Sequence, residues 1–457
     1  MRRIAFTTLG CKTNHYDTDA MAQACRVAGF EVVSSEDQAD VYVINTCTVT
    51  SAADAQARNL VRRIVRRNPK AAVVVCGCAS QVDPQRFKAI EGVSYVLGVR
   101  SADELVNILN NLKSPPTPLY KRGEKGDLND PHFPLTLSPL PIGERGQDRA
   151  RAFLKIQDGC NHNCAYCIVP QARGPSKSVE PASVLREAQQ IIAAGWREIV
   201  LTGVHIGQYG RDLRQKISLN DLVRQILENT ADCRIRLSSL DPDEIDEQTM
   251  DLFEHPGICR HLHLSLQSGC DSVLKTMNRA GKVERYADLI KSLDERMQDI
   301  SIGADIIVGF PGETDDQFTQ TEKFLESLPF AYLHIFPYSR RPQTEAFSMP
   351  LQMAPKIKKQ RAQILKRISA AKRMAFYKNQ CGKRHDVVIV SSRPNENGCF
   401  KGISDNYVPV LISGKELRYR EKYPVQIIKV KEGNVYGSYT RGEKEVQGIR
   451  AQAGLPL

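Results

Sequence analysis

Gly159-Cys160-Asn161-His162-Asn163-Cys164-Ala165-Tyr166-Cys167 sets its cysteines at the spacing C-x-x-x-C-x-x-C. Thiolates this close in sequence can hold three irons of one [4Fe–4S] cube, which ordinarily takes four cysteine ligands. The next cysteine along the chain is Cys233, so the fourth iron is left open to a small-molecule ligand. A zinc site asks for four N/S ligands around a tetrahedron, and His162 stands too close to Cys160 to complete one. Disulfides need an oxidising compartment. The start, Met1-Arg2-Arg3-Ile4-Ala5-Phe6, runs straight into a strand pattern with no export signal.

Around this loop the chain from Arg151 reads as strand–helix repeats. Strands are expected at 152–158, 198–203, 233–239, 261–267, 301–309 and 331–338, with helical patterns such as 184–194 and 317–328 between them. Six βα units of this period suggest a partial barrel of parallel strands, with its chemistry at the C-terminal strand ends. The cysteine loop follows the first strand, at such an end. The other ends are polar or glycine-rich: Thr202-Gly203, Ser238-Ser239, Asp241, Gln267-Ser268-Gly269 and Gly309-Phe310-Pro311-Gly312-Glu313. Glycines there let backbone approach a ligand.

Residues 1–112 carry three apolar strand patterns that end at Cys11, at Cys47 and at Cys76-Gly77-Cys78. Helical stretches separate them, so a parallel α/β sheet is expected, and ligands bind beyond the carboxyl ends of such strands. Cys11, Cys47 and either Cys76 or Cys78 can therefore converge on one edge and hold a second cluster, again with an open iron. The helix 51–67 gathers Arg58, Arg62, Arg63, Arg66 and Arg67 on one face.

Residues 113–149 hold seven prolines and four glycines without apolar periodicity, and read as a linker or insertion. From Ala354 to His385 there are eleven Lys and Arg and no Asp or Glu, mostly in a helical pattern, as expected of a face turned to an anion. Short β runs at 387–390, 407–412 and 425–430 suggest a small antiparallel barrel. The domains expected are thus 1–112, 113–149 as linker, 150–380 and 381–446. Thirteen cysteines without an export signal point to metal ligation in a reducing cytoplasm. A net charge of +11 is compatible with a polyanionic partner. No apolar run is long enough to span a bilayer.

The 160–167 loop resembles that of the radical S-adenosylmethionine (SAM) superfamily. The whole chain outside 113–149 is similar to the methylthiotransferase family within it. That resemblance rests on Leu9-Gly10-Cys11-Lys12-Thr13-Asn14, Asn45-Thr46-Cys47, Gly77-Cys78, Pro170-Gln171-Ala172-Arg173-Gly174, Leu237-Ser238-Ser239, Leu264-Ser265-Leu266-Gln267-Ser268-Gly269, Gly309-Phe310-Pro311-Gly312-Glu313-Thr314 and Phe336-Pro337-Tyr338-Ser339. It implies two [4Fe–4S] clusters, on Cys160, Cys164 and Cys167 and on Cys11, Cys47 and Cys78, with Cys76 left to packing. It implies SAM bound near Tyr166, Gly203, Ser239, Gln267 and Ser268, with the Tyr166 ring on the adenine. The C-terminal barrel resembles a TRAM domain, an RNA-binding module. Two departures touch no cluster cysteine: Ala280-Gly281 where the family usually has a tyrosine close behind, and Gln343 where a glycine is usual.

The resemblance implies a radical that takes hydrogen from an unreactive carbon, with sulfur and a methyl group then added to substrate. The motifs at 8–14 and 172–178 are most similar to the subfamily acting on threonylcarbamoyladenosine in tRNA. Methylthiolation of isopentenyladenosine tRNA or of a ribosomal protein side chain stands as an alternative. So does a nucleic-acid-binding protein with non-catalytic clusters, although structural clusters are usually fully ligated. An electron donor such as flavodoxin or ferredoxin is the expected partner besides tRNA.

Overall fold

The computed structural model describes residues 2–99, 101–111, 149–229, 232–414 and 416–439. The expected linker, but for Arg149, and residues 440–446 of the last module lie outside the described residues.

The N-terminal module is a five-stranded parallel sheet: β1 (Arg3–Thr8), β2 (Glu31–Val33), β3 (Val41–Thr46), β4 (Ala72–Gly77) and β5 (Tyr95–Val96), in the order β2-β1-β3-β4-β5. Strands β3 and β4 are buried throughout, which is why Val41–Ile44 and Ala72–Cys76 are apolar runs rather than alternating ones. Helix α1 (Lys12–Val27) packs on one face, where Met21 and Cys25 join Val41, Val43 and Val74. Helix α2 (Ser51–Arg67) covers the other through Ala57, Val61 and Ile64. Its arginines, as expected, stand on the opposite side.

Six further parallel strands follow: β6 (Ala152–Lys155), β7 (Glu198–Thr202), β8 (Arg234–Leu237), β9 (His261–Gln267), β10 (Ser301–Val308) and β11 (Tyr332–Pro337). They pair as β6-β7-β8 and β9-β10-β11, and isolated parallel bridges at Ile235–Ile258 and Leu240–Leu264 link the halves into an open barrel. Leu262, Leu264, Ile306, Leu333 and Ile335 pack outward in the helix-covered core. Their alternates His263, Asp305 and His334 therefore face the lumen. The first strand is shorter than expected. It stops at Lys155, and Gln157–Asp158 pairs with Lys177–Ser178, antiparallel, to support the cysteine loop.

The N-terminal module lies against the gap between β6 and β11. Tyr16 donates to Glu187, Arg341 pairs with Asp54 at 2.7 Å, and the Ser51 N–H reaches Ser339 Oγ at 2.8 Å.

The last strands, β12 (Arg384–Ile389), β13 (Cys399–Ser404), β14 (Pro409–Ser413), β15 (Lys422–Lys431) and β16 (Asn434–Tyr439), close into a barrel in the order β12-β13-β14-β16-β15. It is not wholly antiparallel: β14 and β16 pair in parallel. An odd number of strands cannot alternate all the way round a closed barrel, so one seam must be parallel. This module plugs the floor of the larger barrel. Arg234 and Arg236 donate to the carbonyls of Asp386, Ile403, Ser404 and Asp405, and the Tyr407 ring sits 4.3 Å from that of His261. No described helix is long and apolar enough to cross a membrane.

Candidate active site

Asn14, in the first turn of α1, organises the N-terminal edge. Its Nδ2 donates to the carbonyls of Leu9 and Thr46, both at 2.9 Å, and so ties the ends of β1 and β3 together. Its Oδ1 lies 3.9 Å from Cys11 Sγ and 3.7 Å from Cys78 Sγ. Cys47 completes the group. A Cβ on Gly10, whose φ is +108°, would stand 2.9 Å from Cys47 Sγ. Three thiols from three strand ends thus gather around one amide. Cys76 does not join them: its Sγ lies 3.9 Å from Met21 Sδ inside the core. Burial pushes the Cys47 thiol up and the Cys78 thiol to about 12. Ligation of a metal group there would displace protons from buried sulfur, which is the chemistry of a thiolate-held cluster.

The second group sits at the C-terminal strand ends. The Cys167 N–H bonds the Cys164 carbonyl at 2.9 Å, and the Ala165 N–H bonds that of Met277 at 3.0 Å, so the loop is folded on itself and docked on the barrel. Burial raises Cys164 and pushes Cys167 to about 12. Cys160 Sγ lies 3.4 Å from His205 Nδ1, whose Nε2 is 2.7 Å from Glu244 Oε2. The donor set of three thiols on one short loop fits a cube with an open iron.

The expected pocket residues behave differently from one another. Tyr166 packs among Ala165, Phe310 and Cys270, beside the cysteines. Gly203 ends β7, where a Cβ would come 2.8 Å from the Gln157 carbonyl, so protein packing already excludes a side chain. Ser239 is half-buried at the end of β8. Gln267 closes β9 in a left-handed conformation, φ +72°, unusual for a residue with a side chain. Ser268 is turned inward: its hydroxyl lies 3.2 Å from Thr321 Oγ1 and accepts from the Cys270 N–H, so it builds the turn.

Arg173 joins the two cysteine groups. It donates to Asp158 from Nη1 at 2.9 Å, and from Nη2 to Asn14 Oδ1 at 2.6 Å and Asp17 Oδ2 at 2.8 Å. Sequence reasoning quoted Asn14 and Arg173 within motifs and gave neither a role. It passed over His205 altogether. The signal for the first two was position, since Asn14 lies three residues after Cys11 and Arg173 six residues after Cys167.

Two family models match: the uncharacterized protein family UPF0004 over residues 3–98 and the radical SAM superfamily over 154–325. The threonylcarbamoyladenosine tRNA methylthiotransferase of Bacillus subtilis is 36% identical over 439 residues, covering 94% of each chain. The protein of that name from Aquifex aeolicus is 36% identical over 416 residues, covering 90% of this chain and 97% of its own. The chain belongs to the radical SAM methylthiotransferase family. The methylthiotransferase is accordingly a transferase enzyme whose cofactors include a [4Fe–4S] cluster and SAM. Its fold is also similar to that of a solved radical SAM methyltransferase from Kitasatospora setae, with a TM-score of 0.54 at 17% identity, over 76% of this chain and 74% of the other.

Proposed function

We propose that this methylthiotransferase acts on tRNA and places a methylthio group on carbon 2 of N6-threonylcarbamoyladenosine, next to the anticodon. The observation that carries the reading is the Arg173–Asn14 hydrogen bond, which ties the segment just past the 160–167 loop to the amide beside Cys11 and Cys78. The names of the relatives support the substrate.

In this reading Cys160, Cys164 and Cys167 hold the cluster beside SAM, and Cys11, Cys47 and Cys78 hold a second [4Fe–4S] cluster. Once bound, these groups supply a carbon-centred radical able to take hydrogen from an unactivated C–H bond, and a place for sulfur. The chain's own residues position and shield. Tyr166, Gly203, Ser239 and Gln267 form the SAM wall, with Ser268 behind it. His205, held by Glu244, fixes the orientation of Cys160. Arg173 and Asn14 keep the two thiol groups in register. The module 1–112 carries the second cluster, 150–380 the first, and 381–446 takes part in RNA binding, with 113–149 as connection. The enzyme works in the cytoplasm with a flavodoxin- or ferredoxin-type donor.

The test is direct. Purified enzyme with SAM, sulfide, a reductant and tRNA bearing threonylcarbamoyladenosine should add a methylthio mass to that nucleoside. Modification of isopentenyladenosine tRNA alone would overturn the substrate. Modification of a ribosomal protein and no tRNA would overturn the RNA reading.

A further inference from the structure

The barrel lumen holds a group of ligating side chains separate from the cysteines. His263 Nε2 stands 2.9 Å from Asp305 Oδ1, and His334 Nδ1 stands 3.3 Å from the same oxygen. One ligand atom from each of the three residues lies within 4.8 Å of those of the other two. They come from neighbouring strands, β9, β10 and β11, and Asp305 is the direct partner of His334 across the β10–β11 ladder. His263 lies four residues before Gln267, the end of β9. At the rise of a strand that is about 13 Å below the strand ends that carry the cysteine loop. His162, His205 and Glu244 form a similar group, but His205 rests on Cys160 and belongs to that loop.

The lumen group is spaced and supported as an ion would require. A metal about 2.0–2.2 Å from its N and O ligands sets neighbouring ligand atoms roughly 3.0–3.5 Å apart, close to the two separations found. His263 is oriented from behind. Tyr332 Oη lies 3.0 Å from His263 Nδ1 and 2.8 Å from His261 Nε2. With the Nδ1–H of His263 donated to that oxygen, and the hydroxyl donating on to His261, the Nε2 lone pair is left for a metal. A ring N–H held in this way is the usual support of a ligating histidine. Gly303 makes room for the phenol, since a Cβ there would stand 2.2 Å from Tyr332 Cζ. Access is graded: the side chains of His263, Asp305 and His334 are 8%, 26% and 54% exposed, so the group is backed by protein on one side and open on the other. Among the described residues Asp305 pairs with these two imidazoles and with no Lys or Arg. A largely buried carboxylate without a guanidinium or ammonium partner is a place for a cation.

We propose that His263, Asp305 and His334 form a binding site for a divalent first-row transition-metal ion of the zinc or ferrous-iron type. Two imidazoles and one carboxylate on one side of the ion leave its other positions to water or to a ligand in the lumen, and this donor set suits such metals better than magnesium or calcium. The site is distinct from both cysteine groups, whose ligands are sulfur. The assignment stands whichever substrate the enzyme modifies.

The experiment titrates Mn2+ into the reconstituted holoenzyme, its clusters oxidised and EPR-silent, and follows the ion by electron paramagnetic resonance. Mn2+ prefers nitrogen and oxygen ligands to thiolate, so it reports on this site rather than on the cysteines. One Mn2+ should bind per chain, the pulsed spectrum should show couplings to two imidazole nitrogens, and Zn2+ should displace it. His334→Ala, a change at the open side of the group, and Asp305→Asn should each weaken binding by about tenfold or more, and Tyr332→Phe by about tenfold, with iron content unchanged. Bound Mn2+ without nitrogen couplings, or binding as tight in both ligand variants as in the parent, overturns the site. So does Mn2+ that is lost from His162→Ala and kept in His334→Ala, which would put the ion on His162, His205 and Glu244. Failure of both Mn2+ and Zn2+ to bind stoichiometrically would show a hydrogen-bonded group that takes no metal, and overturns it as well.

Discussion

Arg173 Nη2 donates to Asn14 Oδ1 across 2.6 Å, and with that bond one loop's arginine touches the amide around which the other module's thiols are gathered. The same guanidinium pairs with Asp158 and Asp17, and Lys155 shares both acids, so the junction is a closed network of two cations and two carboxylates.

Arg173→Met should leave Asp17 and Asp158 with Lys155 as their one remaining cation in this network, so that one buried carboxylate is in excess. Removing one partner of such a network costs about 3–5 kcal/mol, so the thermal midpoint should fall by several degrees and iron on the N-terminal group should become labile. Arg173→Lys, a point charge without the fork, should recover only part of it. A midpoint that does not move in calorimetry would show that the modules are held elsewhere.

The anaerobically reconstituted enzyme should hold about eight irons, as two cubes. Replacing Cys160, Cys164 and Cys167 with Ala should remove about half and abolish SAM cleavage. Replacing Cys11, Cys47 and Cys78 should remove the other half and leave SAM cleavage measurable. Cys76→Ala, losing only contacts near Met21, should keep all its iron at a cost of about 1 kcal/mol. Iron loss from Cys76→Ala would exchange the roles of Cys76 and Cys78.

Glu198 should govern acid stability at the floor. Burial alone would raise its carboxyl, but Arg236, Arg234 and Arg151 outweigh burial and hold it far below its ordinary 4.5. A folded value below the unfolded one means that the stabilisation is complete above about pH 4.5 and is lost as pH falls towards the folded value. Glu198→Gln should therefore be less stable by about 3–5 kcal/mol at neutral pH, by the same uncompensated-charge argument. Its deficit against the parent should shrink on acidification below pH 4.5. A deficit constant from pH 7 to pH 3 would rule the ion cluster out.

RNA affinity should divide the basic helix α3 (Pro355–Asn379) into two classes. Arg361 is buried on Glu313 and pairs with Asp315 at 2.6 Å, while Lys358 and Lys372 donate to the carbonyls of Tyr338 and Leu328. These charges are spent on the fold, as is Lys383 on Asp299. Lys359, Lys366 and Arg373 are exposed along the opposite stripe. Replacing those three with Gln should weaken tRNA binding and lower the slope of log K against log salt by up to about 2–3. Arg361→Gln should instead lower the thermal midpoint. An unchanged salt slope in the triple variant would remove α3 from the RNA grip.

The sequence alone determined the class and order of the modules. Period-two and period-3.6 patterns are local, and the strands of the central barrel emerged within a few residues of where they were expected. Cysteine spacing is local too, so the 160–167 group was readable without coordinates. The tertiary structure decided what depends on distant pairs. For Cys76 and Cys78, two residues apart, it supplied the physical reason beneath the motif's choice of Cys78, because one faces Met21 and the other faces Asn14. It turned the Ser268 hydroxyl away from the mouth, and it made one seam of the last barrel parallel because five strands must close. It also brought Arg173 onto Asn14, 159 positions away. No local pattern encodes such a meeting, because the two side chains come within reach only once α1 lies against the barrel.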